Sequence, residues 1–252
     1  MKKFFSRLLK LFNLIWQVDW LRTFYINFRS LPIQQAIHLP ILLYNARIRN
    51  SSGKILVRGK VKFGMIRLGY WYTVQCKPKP GIIIMNNGIL EFEGSCLVGS
   101  SSIIEISETG RLIFGKNVSI SGECNICSRK LIQIGENFSC SWNTGIYDTD
   151  FHVLCTPKDD GFHIDTKSEP KPIYIGKDNW LCQRALILKG TTLPDRCIVG
   201  AGSIVKGNFT NMGVNIAIAG NPAKKIKDNI TRIEFVRFET KPIESIVKHC
   251  GL

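Results

Sequence analysis

From Ile175 onward, aliphatic residues fall on every sixth position: Ile175, Leu181, Ile187, Leu193, Val199 and Val205. Four residues after each of the first five stand Asn179, Ala185, Thr191, Cys197 and Ser203, all small or compact. The same step joins Phe114, Ile120 and Ile126, slips by two residues, and resumes at Ile134, Cys140, Ile146 and His152. This period fits neither a helix nor a simple strand alternation. It fits a coil with three short flat faces, each turning one aliphatic side chain inward, with one small residue near each corner. Coils stacked about 4.8 Å apart pair their backbones as parallel strands. The pattern predicts an all-β solenoid.

The repeat breaks in three places. Between Tyr147 and Pro172 stand Pro157, Asp159, Asp160, Gly161 and Pro170, with good coils on either side, so 147–172 reads as an extruded loop. Residues 1–50 lie outside the repeat and read as an N-terminal amphipathic helical segment. Phe4, Leu8, Leu11, Phe12, Ile15 and Trp16 recur at helical spacing, and Lys2, Lys3, Arg7 and Lys10 form a basic complement. Arg7, Lys10, Asp19 and Arg22 interrupt the apolar run, which argues against a signal-peptide core and a membrane span. Two roles stay open for this segment: packing on the protein or an oligomer partner, or lying on anionic lipid headgroups. The solenoid domain is expected over 51–222, led in by short strands such as Lys54 to Val57. The basic stretch 223–252 lacks the period and reads as a capping tail, with helix as one form open to it.

Composition narrows the partners. The 252 residues are 44% hydrophobic, enough for a substantial core, and the formal net charge of +15 favours acidic partners. Nucleic acid, an anionic membrane face and phosphorylated small molecules all fit that charge, but no basic tract interleaved with aromatics and no zinc-finger spacing supports the first. The nine cysteines are odd in number, scattered and flanked by aliphatics, as in a reducing compartment. The lone Cys124-Asn-Ile-Cys127 pair has no second pair and no neighbouring His, so it reads as core packing rather than a zinc site.

The periodicity, together with IYIGKDNWLCQRALILKGTTLPDRCIVGAGSIV and IAGNPAKKIK, resembles the hexapeptide-repeat acyltransferases over about residues 80–228. The likeness is nearest to sugar O-acetyltransferases of the maltose and galactoside type and of polysaccharide gene clusters. It implies a left-handed parallel β-helix, whereas the general crossover rule favours right-handed connections. It also implies acetyl-CoA as co-substrate and a homotrimer with clefts between neighbouring chains.

The chemistry concentrates in IYDTDFH, residues 146–152, which holds two carboxylates and one of only four histidines. A neutral imidazole at the edge of a rigid coil suits removal of a proton from an attacking hydroxyl. Asp148 and Asp150 are candidates to orient the ring or to bind acceptor hydroxyls. The resemblance places a catalytic histidine just after an Ile-Tyr pair, matching His152. His163, deeper in the loop beside Asp165, is the competing base. Ser121, Asn143 and Tyr147 are the candidate acceptor-side residues, with Ser121 standing where the maltose enzymes have an asparagine. For the donor, the resemblance implies a coenzyme A groove at Trp180, Cys182, Gln183, Ala201 and Gly202, with Lys206, Lys224 and Lys227 near the phosphates.

The expected activity is therefore acetyl transfer from acetyl-CoA to a hydroxyl of a sugar or glycan precursor, by direct transfer with a histidine base and no metal. The expected location is cytoplasmic, peripheral at the inner membrane face if the N-terminal segment binds lipid. Two alternatives remain open: N-acetylation of an amino sugar nucleotide, and a non-catalytic membrane-associated module. A γ-type carbonic anhydrase is excluded by too few histidines near the repeat.

Overall fold

The computed structural model describes residues 16–49, 51–70 and 81–232. The expectations for residues 1–15, and for the tail beyond 232, lie outside the described residues. The chain winds through three sheets in turn, so that each sheet stacks strands one coil apart. One coil runs through Val118–Ile120, Asn125–Ser128 and Ile132–Ile134. We call these faces A, B and C; among the described residues face A holds nine strands, face B seven and face C six. Between successive coils the pairing is parallel, as in Ile120 beside Cys140 and Ile126 beside Ile146.

The six-residue positions explain this architecture. Ile175, Leu181, Ile187, Leu193, Val199 and Val205 are all buried, as are the corner residues Asn179, Ala185, Thr191, Cys197 and Ser203. Burying one branched aliphatic per face fills a narrow triangular core in layers, and a small residue lets the chain turn without opening a void. Larger side chains stack in register where there is room, as Phe92 on Phe114, with ring centroids 5.4 Å apart. The corner between faces C and A is a ladder of left-handed residues, Asn117, Asn137 and Asp178, each with φ of 56°. Asn117 Nδ2 donates to Asn137 Oδ1 at 3.0 Å, and Asn137 Nδ2 donates to Asp178 Oδ1 at 2.9 Å. Asn and Asp tolerate that conformation and pair along the column.

The solenoid begins earlier than the repeat suggests, at Ile41–Leu43 on face A, with Lys54–Val57 forming the edge strand of face C. Before it, among the described residues, come the helices α1 (Trp20–Ser30) and α2 (Ile33–Ala36). Asp19 caps α1 by accepting from the backbone of Arg22. From α1, Asn27 exchanges hydrogen bonds with both the N–H and the C=O of Ile41, and Thr23 Oγ1 accepts from the Leu43 N–H. Gln35 Nε2 donates to the Val57 carbonyl from α2. The helices thus satisfy the open edge of the first coil, which would otherwise template aggregation.

At the other end, Ala223–Lys227 is not helical; it folds back antiparallel on Ile216–Gly220. An antiparallel return closes the last coil's edge without a further coil. The repeat also stops one step short of its expected end. The strand Gly145–Tyr147 closes the run, so His152 is a loop residue, not a coil position.

Candidate active site

The extruded segment leaves face B at Asp148 and rejoins face C at Ile173, at the corner between those faces. Its outer part is an antiparallel hairpin, Cys155–Lys158 with Gly161–Ile164, in which every residue is exposed. His152 sits at the root. Thr149 Oγ1 accepts from the Phe151 N–H at 3.0 Å, Phe151 takes φ of 64°, and its ring meets Tyr147 edge-on at 5.7 Å. That tight turn throws the imidazole outward, where it is exposed and, among the described residues, has no hydrogen-bond partner. It borders a cavity of about 490 Å³, walled also by Thr109, Arg129, Thr149, Ile164 and Glu169. The Arg129 guanidinium is paired with Glu105.

The two carboxylates of the motif hold other posts. Asp148 is fully buried and accepts from Arg129 N at 2.7 Å, Lys130 N at 2.8 Å and Ser128 Oγ at 3.1 Å. It pins the loop's root to the preceding coil, so the expected ring-orienting role is corrected. Asp150 turns to Lys189, at 2.6 Å. Lys189 is 3% exposed and also donates to the carbonyls of Lys167 at 2.7 Å and Glu169 at 3.2 Å. A buried ammonium with three acceptors ties the outgoing and returning limbs of the loop to the next coil. Sequence reasoning passed over Lys189, because nothing in the ILKG stretch marks a lysine as buried. The competitor His163 lies on the hairpin, paired with Asp160 at 3.0 Å.

Tyr147 lies beside this corner. Burial raises its phenol, partly offset by a hydrogen bond with Asn125. Its ring covers Gly145, where a Cβ would stand 2.8 Å from the ring.

The remaining predicted residues gather elsewhere. Ser121, Asn143, Cys182, Gln183, Ala201 and Gly202 stack on the corner between faces A and B, coil upon coil. Asn143 N donates to Gly122 O, Arg184 N to Trp142 O, and Gly202 N to Gln183 O. Trp180 joins this column through Nε1 to Ser141 Oγ at 3.3 Å. Cys182 is half-buried and its thiol is raised by burial. Gly202, at φ of 68°, has open space where a Cβ would be. The NPAK segment is tied to the same column by Gly220 N donating to Ser203 Oγ at 3.1 Å, with Lys224 and Lys227 exposed on the final strand. Lys206 departs from this group. It follows Ile204–Val205 of face B and so lies on the His152 corner. The paired cysteines of CxxC are both buried, and Cys124 faces Cys140 at 3.8 Å rather than Cys127. Among the described residues no cluster of His, Cys, Asp or Glu could hold a metal ion.

Comparison with known proteins decides the relationship. No family model matches the chain. WbbJ of Escherichia coli K12, named as a lipopolysaccharide biosynthesis O-acetyl transferase, is 28% identical over 155 residues, 57% of this chain and 74% of the relative. WcaF of the same organism, named for colanic acid biosynthesis acetyl transfer, is 23% identical over 190 residues, 73% of this chain and 98% of the relative. The galactoside O-acetyltransferase of that organism is 29% identical over 132 residues, 46% of this chain and 63% of the relative. The chain is thus similar in sequence to proteins named as sugar and polysaccharide O-acetyltransferases. The solved polysialic-acid-specific acetyltransferase NeuO superposes with a TM-score of 0.53 at 17% identity, covering 84% of this chain and 88% of that one. Such a likeness carries the fold, which is the left-handed parallel β-helix. The handedness runs against the usual crossover rule, which describes strands joined within one sheet rather than coils passing through three.

Proposed function

We propose that the protein is an acetyl-CoA-dependent O-acetyltransferase acting on a sugar or glycan precursor, with His152 as general base in direct transfer. The observation that carries this reading is the His152 imidazole, turned outward by the Thr149 to Phe151 turn beside the loop-root cavity. Acyl transfer is what the relatives are named for. In the reaction, a ring nitrogen of His152 takes the proton of the acceptor hydroxyl as its oxygen bonds to the thioester carbonyl carbon. The C–S bond then breaks, and the imidazolium returns the proton to the departing thiolate. The glycan is held at the His152 corner, beside Tyr147 and Arg129. Coenzyme A lies along the corner between faces A and B, against Trp180, Cys182, Gln183, Ala201 and Gly202, with its phosphates near Lys224 and Lys227.

Within one chain these corners stand a face apart, three residues of strand or roughly 10 Å. A complete site therefore joins the donor corner of one chain to the base corner of its neighbour, which supports a homotrimer. The hairpin supports it too, because Phe162 and Ile164 are exposed and have no apolar cover among the described residues. In that arrangement Lys206, on the His152 corner, lies on the side that meets the neighbour's donor groove. Among the described residues no helix is long and apolar enough to cross a membrane. Peripheral contact through residues 1–30 belongs to this reading and would make a lipid-linked glycan the natural acceptor.

Titration calorimetry with coenzyme A and acetyl-CoA tests the donor site without an acceptor. Micromolar binding that weakens in Lys224→Ala and survives in His152→Ala is expected, with acetyl transfer to glycans lost in His152→Ala. No binding to the folded protein would overturn the assignment.

A further inference from the structure

The helical cap carries an apolar surface that the core does not use. Terminal units of a solenoid ordinarily turn a polar face to water. Here α1 sends its polar side chains inward, since Thr23 and Asn27 are consumed by the edge strand. At about 100° per residue, the opposite side of the helix carries Leu21, Tyr25 and Phe28. Trp20, Phe24 and Phe28 form a ring ladder along one flank, with centroids 6.1 and 6.4 Å apart. Arg22 and Arg29 follow the other flank, Arg29 standing 5.5 Å from the Tyr25 ring. Leu21, Phe24, Tyr25 and Phe28, with Ile33 and Ile37 beyond them, are 47% to 86% exposed.

We propose that this cap is a membrane-docking face that sets the β-helix end-on against an anionic bilayer. Aromatic and aliphatic side chains flanked by arginine match the bilayer interface, where rings sit at headgroup level and guanidinium groups reach phosphate. Charge selects the occupant. The described residues 16–49 hold four Arg against one acid, Asp19, which pairs with Arg22. A second copy of the same face would bring like charges together, whereas an anionic surface gains about 1 kcal/mol for each nearby cation. End-on docking places His152, in the fifth coil, about four coil steps or roughly 20 Å from the capped end. A single sugar next to the headgroups does not reach that far, so the acceptor stands further out on a lipid-linked glycan; this last consequence alone rests on the acyl-transfer reading.

The test is co-sedimentation of the full chain with phosphatidylcholine vesicles, with and without phosphatidylglycerol. The wild type binds the anionic vesicles, less so at high salt, and the double variant Leu21→Glu/Phe28→Glu binds roughly tenfold more weakly with an unchanged unfolding midpoint. Residues 1–15 are intact in that variant, so undiminished binding would assign lipid contact to them and overturn the proposal. Failure of the wild type to bind anionic vesicles would overturn it as well. So would a fall in the lipid-free mass on going from wild type to variant, which would mark the face as a contact between copies.

Discussion

Replacing Lys189 by Met tests the loop architecture directly. Methionine keeps the length and apolar stem of the side chain and removes only the ammonium. The structure gives that ammonium three partners, Asp150 at 2.6 Å and the carbonyls of Lys167 and Glu169 at 2.7 and 3.2 Å. A hydrogen bond to a charged group contributes about 1.5–3 kcal/mol, and breaking a buried ion pair costs about 3–5 kcal/mol. The Asp150 side chain is 44% exposed and regains water when released, so the lower end applies, about 3 kcal/mol. That sum is local to the loop and corresponds to roughly a 100-fold rise in its opening equilibrium. Hydrogen exchange reads it at Lys171 N, bonded to Asp148 O, and at Gly190 N, bonded to Lys171 O. Protease cleavage within 148–172 should accelerate in parallel, with little change in exchange at buried coil amides such as Ile146. In turnover, kcat should fall while the Kd for acetyl-CoA holds, because the proposed donor residues lie on another corner. Unchanged exchange and cleavage in Lys189→Met would refute the clamp. A loss of acetyl-CoA binding would refute the separation of the corners.

Other perturbations probe the framework. Asp148→Ala removes a buried carboxylate and strips the part-buried Arg129 and Lys130 N–H groups of their acceptor, which should cost about 3 kcal/mol, seen as a lowered urea midpoint; a wild-type midpoint would remove its role as the loop's anchor. Glu91 answers to pH. Burial pushes its carboxyl up, but hydrogen bonds and charge from Arg111 and Arg58 outweigh that and hold it below its ordinary 4.5. A depressed carboxylate contributes stability that is complete above the ordinary value and lost as pH falls through the lower folded value. The midpoint difference between wild type and Glu91→Gln should thus be largest near neutrality and shrink below about pH 4, and a difference independent of pH would disprove the pairing.

Much of the candidate site could be placed before any coordinates, and the reason differs by residue. His152 stood out because a scarce imidazole ended a run of coil positions, although the chain leaves the coil at Asp148 and the fit to the period at 152 is coincidental. The small residues Ala201 and Gly202 were legible because corners demand small side chains wherever they occur. Asp148 and Asp150 were expected to orient the ring or bind acceptor hydroxyls, whereas Asp148 holds the Arg129 and Lys130 amides and Asp150 turns to Lys189. Motif spacing shows that two carboxylates are near a histidine in the chain, not which way each side chain turns. Lys189 was invisible because burial of a lysine depends on acceptors contributed by Lys167, Glu169 and Asp150, from segments the period does not order.

What the sequence determined by itself is the solenoid: a six-residue repeat of aliphatic and small residues admits three faces and parallel stacking, because every inward position must be filled and every corner must turn. Tertiary structure alone decided where the solenoid starts and what closes its two ends, since edges are satisfied by helix and hairpin groups with no periodic signature. It alone decided, too, that the corner of His152 and the corner of Cys182, Gln183, Ala201 and Gly202 stand a face apart. Which corner a residue occupies depends on the running count of coils and on one loop excursion, and the local pattern carries neither.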